Sequence, residues 1–84
     1  MFGEPAWEIL LLLYVSQGSA RFTASRLAQV AGYSKATAIR WMDYLEKERL
    51  IQRRPHPTDQ RSIFVELTDK GTASLEMYLT DTLN

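Results

Sequence analysis

In TASRLAQVAGYSKATAIRWMDYLEK, residues 23–47, Thr23 and Ser34 both precede helix-forming stretches, with Gly32 between them. A hydroxyl at each position accepts an N–H of the helix's first turn that has no partner inside the helix. Gly32 takes without strain the left-handed conformation that ends a helix. The spacing predicts one helix over about 24–31 and another over about 35–48, joined by only two or three residues. Each carries an apolar stripe: Leu27, Val30 and Ala31 on the first, and Ala38, Met42 and Leu45 at i, i+4 and i+7 on the second.

The flanks extend this pair. Pro5 suits the opening turn of an earlier helix, and Trp7 through Gln17 has no breaker before Gly18. Ile51 to Arg54 and Ser62 to Leu67 read as strands, the second pointing Ile63, Val65 and Leu67 one way and Ser62, Phe64 and Glu66 the other. Pro55 and Pro57 confine their connection to a loop. Thr68 then caps a last helix in which Leu75, Leu79 and Leu83 recur every four residues. A chain of 84 residues makes a single domain, residues 1–84, either whole or a piece of a longer polypeptide. It buries roughly 60 % of its unfolded surface.

The absence of cysteine excludes disulfides and thiolate metal sites, and a lone histidine cannot build an imidazole zinc site. The expectation is no metal and no cofactor. The longest apolar run, Ile9 to Val15, is far short of the ~20 residues of a membrane span. We therefore expect a soluble cytoplasmic domain without a membrane partner. Net charge is zero, but from Arg21 to Arg61 nine Lys and Arg face four acids, whereas the flanks hold one Lys and six acids. A basic middle with acidic ends presents a positive face to phosphates while other faces stay free for protein contacts.

The element order is mainly α with a small β-hairpin: a winged helix-turn-helix with a three-helix core, a wing and a C-terminal helix. In such a fold the second helix of the pair lies in a major groove, about 12 Å wide, and the hairpin reaches for the backbone or the neighbouring minor groove. The loop at about 55–61 is the wing. Its prolines stiffen it, Arg61 is placed to enter a minor groove, and Asp59 is near enough to brace Arg61. Arg53 and Arg54 alternate in direction, which sends one toward the DNA side and lays the other's stem over the core.

TDQRSIFVELTDKG, with its D-x-R, alternating strand and LT-x-x-G, resembles the wing and following helix of the MarR family of bacterial winged-helix transcription regulators. YSKATAIRWMDYLEKERLIQRR resembles that family's recognition helix and first wing strand, so the likeness covers roughly residues 23–71. It implies sequence-specific binding to double-stranded DNA. By position, Ser34, Lys35, Ala36, Thr37 and Arg40 fall where the family's recognition helix meets bases and phosphates, and Arg61 falls at its wing arginine. The DNA-binding set expected here is these six with Arg53 and Arg54. Arg49 stands where the family often ends this helix with glycine, and a left-handed residue there costs about 1 kcal/mol.

Other residues have plainer readings. Trp41 and Tyr44 are expected as partly buried packing groups, His56 as a solvated loop histidine, and Asp43 with Lys47 as a helix-surface ion pair. No acid–base pair, nucleophile with its base or glycine-rich phosphate loop points to an enzyme. The first helix, with Trp7, Ile9, Leu10, Leu11, Leu12, Leu13, Tyr14 and Val15, is apolar on more than one face. That surplus, with any uncovered part of the last helix, calls for a second copy or a further domain. A winged helix serving protein–protein contact without DNA binding is the alternative.

Overall fold

Both expected caps form. A computed structural model describes residues 4–17 and 21–83. Along them run α1 (Glu4–Val15), β1 (Phe22–Thr23), α2 (Ala24–Ala31), α3 (Lys35–Lys47), β2 (Ile51–Pro55), β3 (Ile63–Leu67) and α4 (Asp69–Leu83). Thr23 Oγ1 accepts from the Arg26 N–H at 3.2 Å. Ser34 Oγ accepts from the Thr37 N–H at 3.1 Å. Between them Gly32, at φ 81°, donates to the carbonyls of Ala28 and Gln29 and closes α2. Gly18 lies outside the described residues; α1 itself stops at Val15 and turns through Ser16 and Gln17.

The end of α3 is the place where local preference yields. Arg49 N–H reaches the Glu46 carbonyl and Leu50 N–H the Leu45 carbonyl, both at 2.9 Å, with Arg49 left-handed at φ 64°. This is the double bond of a Schellman ending, carried by arginine rather than glycine. Burial of Leu50, 4 % exposed, holds the chain in that turn. Thr68 then ties α4 to it: its N–H donates to the Leu50 carbonyl, and its hydroxyl donates to the Arg49 carbonyl while accepting the Gly71 N–H at 2.9 Å. Lys70 Nζ donates to the Glu48 carbonyl at 3.1 Å. The carbonyls orphaned at one helix end are thus satisfied by the first turn of the next.

The sheet is larger than a hairpin. β2 and β3 pair antiparallel from Ile51↔Leu67 to Pro55↔Ile63, and β1 adds to the other side of β3 through Phe22↔Val65 and Thr23↔Phe64. Val65 is buried and Leu67 half-buried, whereas Ile63, on the same side, is exposed because it sits beyond the core near the loop.

One core, containing Ile9, Leu10, Leu13, Leu27, Ala38, Met42, Leu45, Ile51, Val65 and Leu75, joins every helix to the sheet. On α2 the buried pair is Leu27 and Ala28, not Leu27 with Val30, which stays exposed. Trp41 is half-buried, and Tyr44, edge-on to it with ring centroids 5.7 Å apart, is exposed. On α4 Leu75 is buried and Leu79 half-buried; the side chain of Leu83 lies outside the described part. Trp7 packs edge-on against Tyr78 at 4.6 Å, and Tyr14 donates to Glu76 at 3.1 Å, so α4 lies along α1.

Candidate nucleic-acid interface

The N-terminal end of α3 is built by Ser34. Its hydroxyl accepts the Thr37 N–H and donates to Thr37 Oγ1 at 2.9 Å, and its carbonyl accepts from Ala38. Lys35, Ala36 and Arg40 are exposed, and Thr37 is half-buried. The first turn carries no acid. The partial positive charge of the helix end therefore stays uncompensated, with Lys35 beside it, an arrangement suited to a phosphate. Arg40 lies one turn further along, on the exposed side opposite buried Ala38 and Met42, and neither it nor Lys35 has an ion-pair partner among the described residues.

The wing is organised by two side chains. Asp59 accepts the Arg61 N–H at 3.0 Å and the Ser62 hydroxyl at 3.1 Å, with Arg61 Nε 3.6 Å away. The Arg61 N–H first, then the Ser62 hydroxyl, hold its carboxyl below the usual carboxylate range. Asp59 braces Arg61 as expected, but mainly through the backbone: the Arg61 side chain is 94 % exposed and projects freely. His56 departs from the expectation of a solvated loop residue. It is half-buried, its Nδ1 accepts the N–H groups of Thr58 and Asp59 at 3.1 Å each, and its ring lies 4.8 Å from that of Phe64.

The two arginines of β2 do point to opposite sides, and both meet acids. Arg53 Nε donates to Glu46 at 2.9 Å, its Nη2 contacts Asp43 at 2.6 Å, and its backbone N–H also donates to Glu46. Burial works against its charge, but the hydrogen bonds to Glu46 and Asp43 prevail and hold the guanidinium above its ordinary value. The expected Asp43–Lys47 pair is replaced: Asp43 turns to Arg53, whose half-buried fork also holds Glu46 and is better fixed than a solvated lysine. On the other side of the sheet Arg54 Nε lies 3.0 Å from Glu66 and Arg21 Nε 3.7 Å from it, with the Arg21 guanidinium over Phe64. Buried Glu66 Oε1 has no well-aligned hydrogen bond, so the nearby Arg54 charge is what compensates it. Arg54 remains 59 % exposed.

Sequence reasoning overlooked Glu46 as a partner of Arg53, because nothing local pairs a helix residue with a strand residue beyond a turn. It also overlooked His56, whose spacing to Thr58 and Asp59 is that of a residue bonding the backbone two and three positions on. Among the described residues no helix is long and apolar enough to cross a membrane, and no three His, Cys, Asp or Glu side chains cluster as metal ligands.

The sequence model of the MarR family matches residues 3–63. The HTH-type transcriptional repressor YetL of Bacillus subtilis (strain 168) is 36% identical over 76 residues, 90% of this chain and 45% of that protein. Among solved structures, the transcriptional repressor CouR bound to a 23-mer DNA duplex superimposes with a TM-score of 0.81 at 28% identity, over 92% of this chain and 52% of that one. Mutant MarR from E. coli complexed with operator DNA gives a TM-score of 0.80 at 25% identity, over 90% and 52% of the two chains. The chain spans about half the length of the relatives it matches.

Proposed function

The chain belongs to the MarR family, and on that premise we propose that it binds double-stranded DNA sequence-specifically as a bacterial transcription regulator, acting in the cytoplasm and catalysing nothing. α3 lies in the major groove, with Ser34, Lys35, Ala36, Thr37 and Arg40 toward bases and phosphates. The wing lies on the backbone or minor groove and carries Arg61 there, with Arg54 beside it. Arg53 supports the reading from behind, holding β2 to α3 through Asp43 and Glu46. The observation that carries the proposal is the division of the cations. Arg53, Arg54 and Arg21 are engaged by acids, whereas Lys35 and Arg40, in the first two turns of α3, have none among the described residues. The relatives solved with duplex DNA lend it support.

Titrating salt against binding to duplex DNA tests it, because each phosphate contact steepens the fall of log K with log[salt] by about 0.9. A flat response rejects DNA binding in favour of a protein-contact module. The wing has its own test. If Arg61 enters a minor groove, Arg61→Ala should weaken binding most on sites flanked by A-tracts, whose narrow grooves attract guanidinium groups. If it meets only a phosphate, the loss should be even across flanks and the salt slope should shrink by about one unit.

The apolar surplus of α1 lies in a groove between α1 and α2 lined by Glu8, Leu11, Leu12, Val15, Val30 and Ala31, with Val15 72 % and Val30 43 % exposed. We propose that a second copy, or a further domain of the same regulator, covers it together with the open side of α4, where Met77 is exposed. The DNA-reading residues stay clear. Sedimentation at rising concentration should show self-association that Val15→Asp abolishes, and a strict monomer would rule out the second copy.

A further inference from the structure

The wing loop contains two prolines, which lack an N–H, and its own hairpin bonds are few: His56 N–H to the Ser62 carbonyl and Ser62 N–H to the Asp59 carbonyl. The N–H groups of Thr58 and Asp59 point to no strand. Both converge instead on Nδ1 of His56 at 3.1 Å, with Thr58 Oγ1 3.4 Å away. An imidazole nitrogen accepts hydrogen bonds only while it carries no proton. The ring is fixed for this duty by Phe64, whose centroid is 4.8 Å away at a tilt of 31°. We propose that His56 is a positioning residue whose neutral ring shapes the wing, so that protonating it loosens the wing and weakens DNA binding. The DNA half of this statement rests on the function proposed above.

The sign follows from the geometry. A proton on Nδ1 would set three donors against one another where two N–H groups were accepted, so protonation competes with the bonds that order the loop. The charged groups facing the ring are Asp59 and Arg61 in the loop and, around Phe64 on the sheet, Arg21 and Arg54 with Glu66 between them. Asp59 itself does not titrate in the window of interest. Its carboxyl lies below the usual range, so its contribution to wing order is present above that range and is lost only as the pH falls below it. A change between pH 8 and 5, where imidazoles ordinarily take up their proton, therefore reports the histidine.

The test compares the wild-type chain with His56→Asn and His56→Ala. Asparagine keeps a side-chain acceptor that bonds the backbone two residues on but does not titrate. Protection of the Thr58 and Asp59 amides, measured by hydrogen exchange on the free protein, should fall about tenfold in the wild type from pH 8 to pH 5. It should stay nearly constant in His56→Asn and be absent at both pH values in His56→Ala. At fixed salt, affinity for duplex DNA should fall about tenfold more for the wild type than for His56→Asn over the same range. Protection that ignores pH, or that survives in His56→Ala, overturns the proposal. So does wild-type affinity that rises in acid, as an added positive charge alone would cause. Failure to bind duplex at either pH removes the functional reading, while amide protection decides on the wing by itself.

Discussion

Replacing Gly71 by alanine should cost the domain about 3 kcal/mol and lower its melting temperature by roughly 12–24 °C. A Cβ at this position would stand 2.0 Å from the Leu50 carbonyl oxygen and 3.2 Å from Leu67 Cδ2. Leu67 Cδ2 ends a flexible side chain, but the Leu50 backbone is not free to yield. The Leu50 carbonyl accepts the Thr68 N–H, its side chain is buried, and the residue before it is already in the left-handed conformation. Relief must come from moving α4 off the end of α3, which breaks the Thr68 hydroxyl's bonds to Arg49 and Gly71. Calorimetry on the purified variant is the check, and a melting point within about 4 °C of the wild type would show the contact to be soft. The final glycine of LT-x-x-G is thus a packing requirement: the Leu50 backbone, just past the end of α3, lies where its side chain would be.

Arg40→Ala should leave stability nearly unchanged but weaken binding to the operator by about 1–3 kcal/mol, if the guanidinium takes the two acceptors of a guanine. In affinity this is roughly a 5- to 150-fold loss. The residue is exposed and without an ion-pair partner among the described residues, and alanine is the better helix former, so the variant should fold. Discrimination at the contacted base pair should relax, while phosphate contacts elsewhere keep weaker, less selective binding. Arg40→Lys separates charge from geometry, because an ammonium retains the former without the planar fork. Unchanged operator affinity in folded Arg40→Ala would reject the assignment.

What could be read from the chain was local. Thr23, Gly32, Ser34 and, in accepting the Gly71 N–H, Thr68 each start or end a helix through bonds within four residues. Arg49 was foreseen as a strained position on the strength of a resemblance, and it is left-handed because buried Leu50 outweighs a preference of about 1 kcal/mol. Apart from His56, whose backbone bonds are local, what escaped notice depends on contacts distant in the chain. A two-residue strand such as β1 is too short to show a period and exists because β3 offers it an edge. Asp43 has a suitable lysine one turn on, yet the better-ordered Arg53 arrives from a strand that local rules do not consider. The charge pattern likewise overstated the free positive face, since several of its arginines are engaged by nearby acids.

The Arg53 clasp also bears on how much order remains to be acquired when the domain meets its target. One guanidinium and one backbone N–H hold two carboxylates of α3 against β2, so the relative placement of recognition helix and wing strand is set when the chain folds. The entropy of fixing that junction is lost once, in folding, and is not lost again on contact. On the function proposed above, what encounter must still immobilise is mainly long, solvated side chains: Lys35, Arg40 and, at the tip, Arg61. Each gives up on the order of 0.5–1.5 kcal/mol of rotamer freedom when held. On that reading a preorganised backbone with mobile fingertips leaves selectivity to the few side chains that stop moving, and a poorly matched sequence should be released quickly because little else resists its departure.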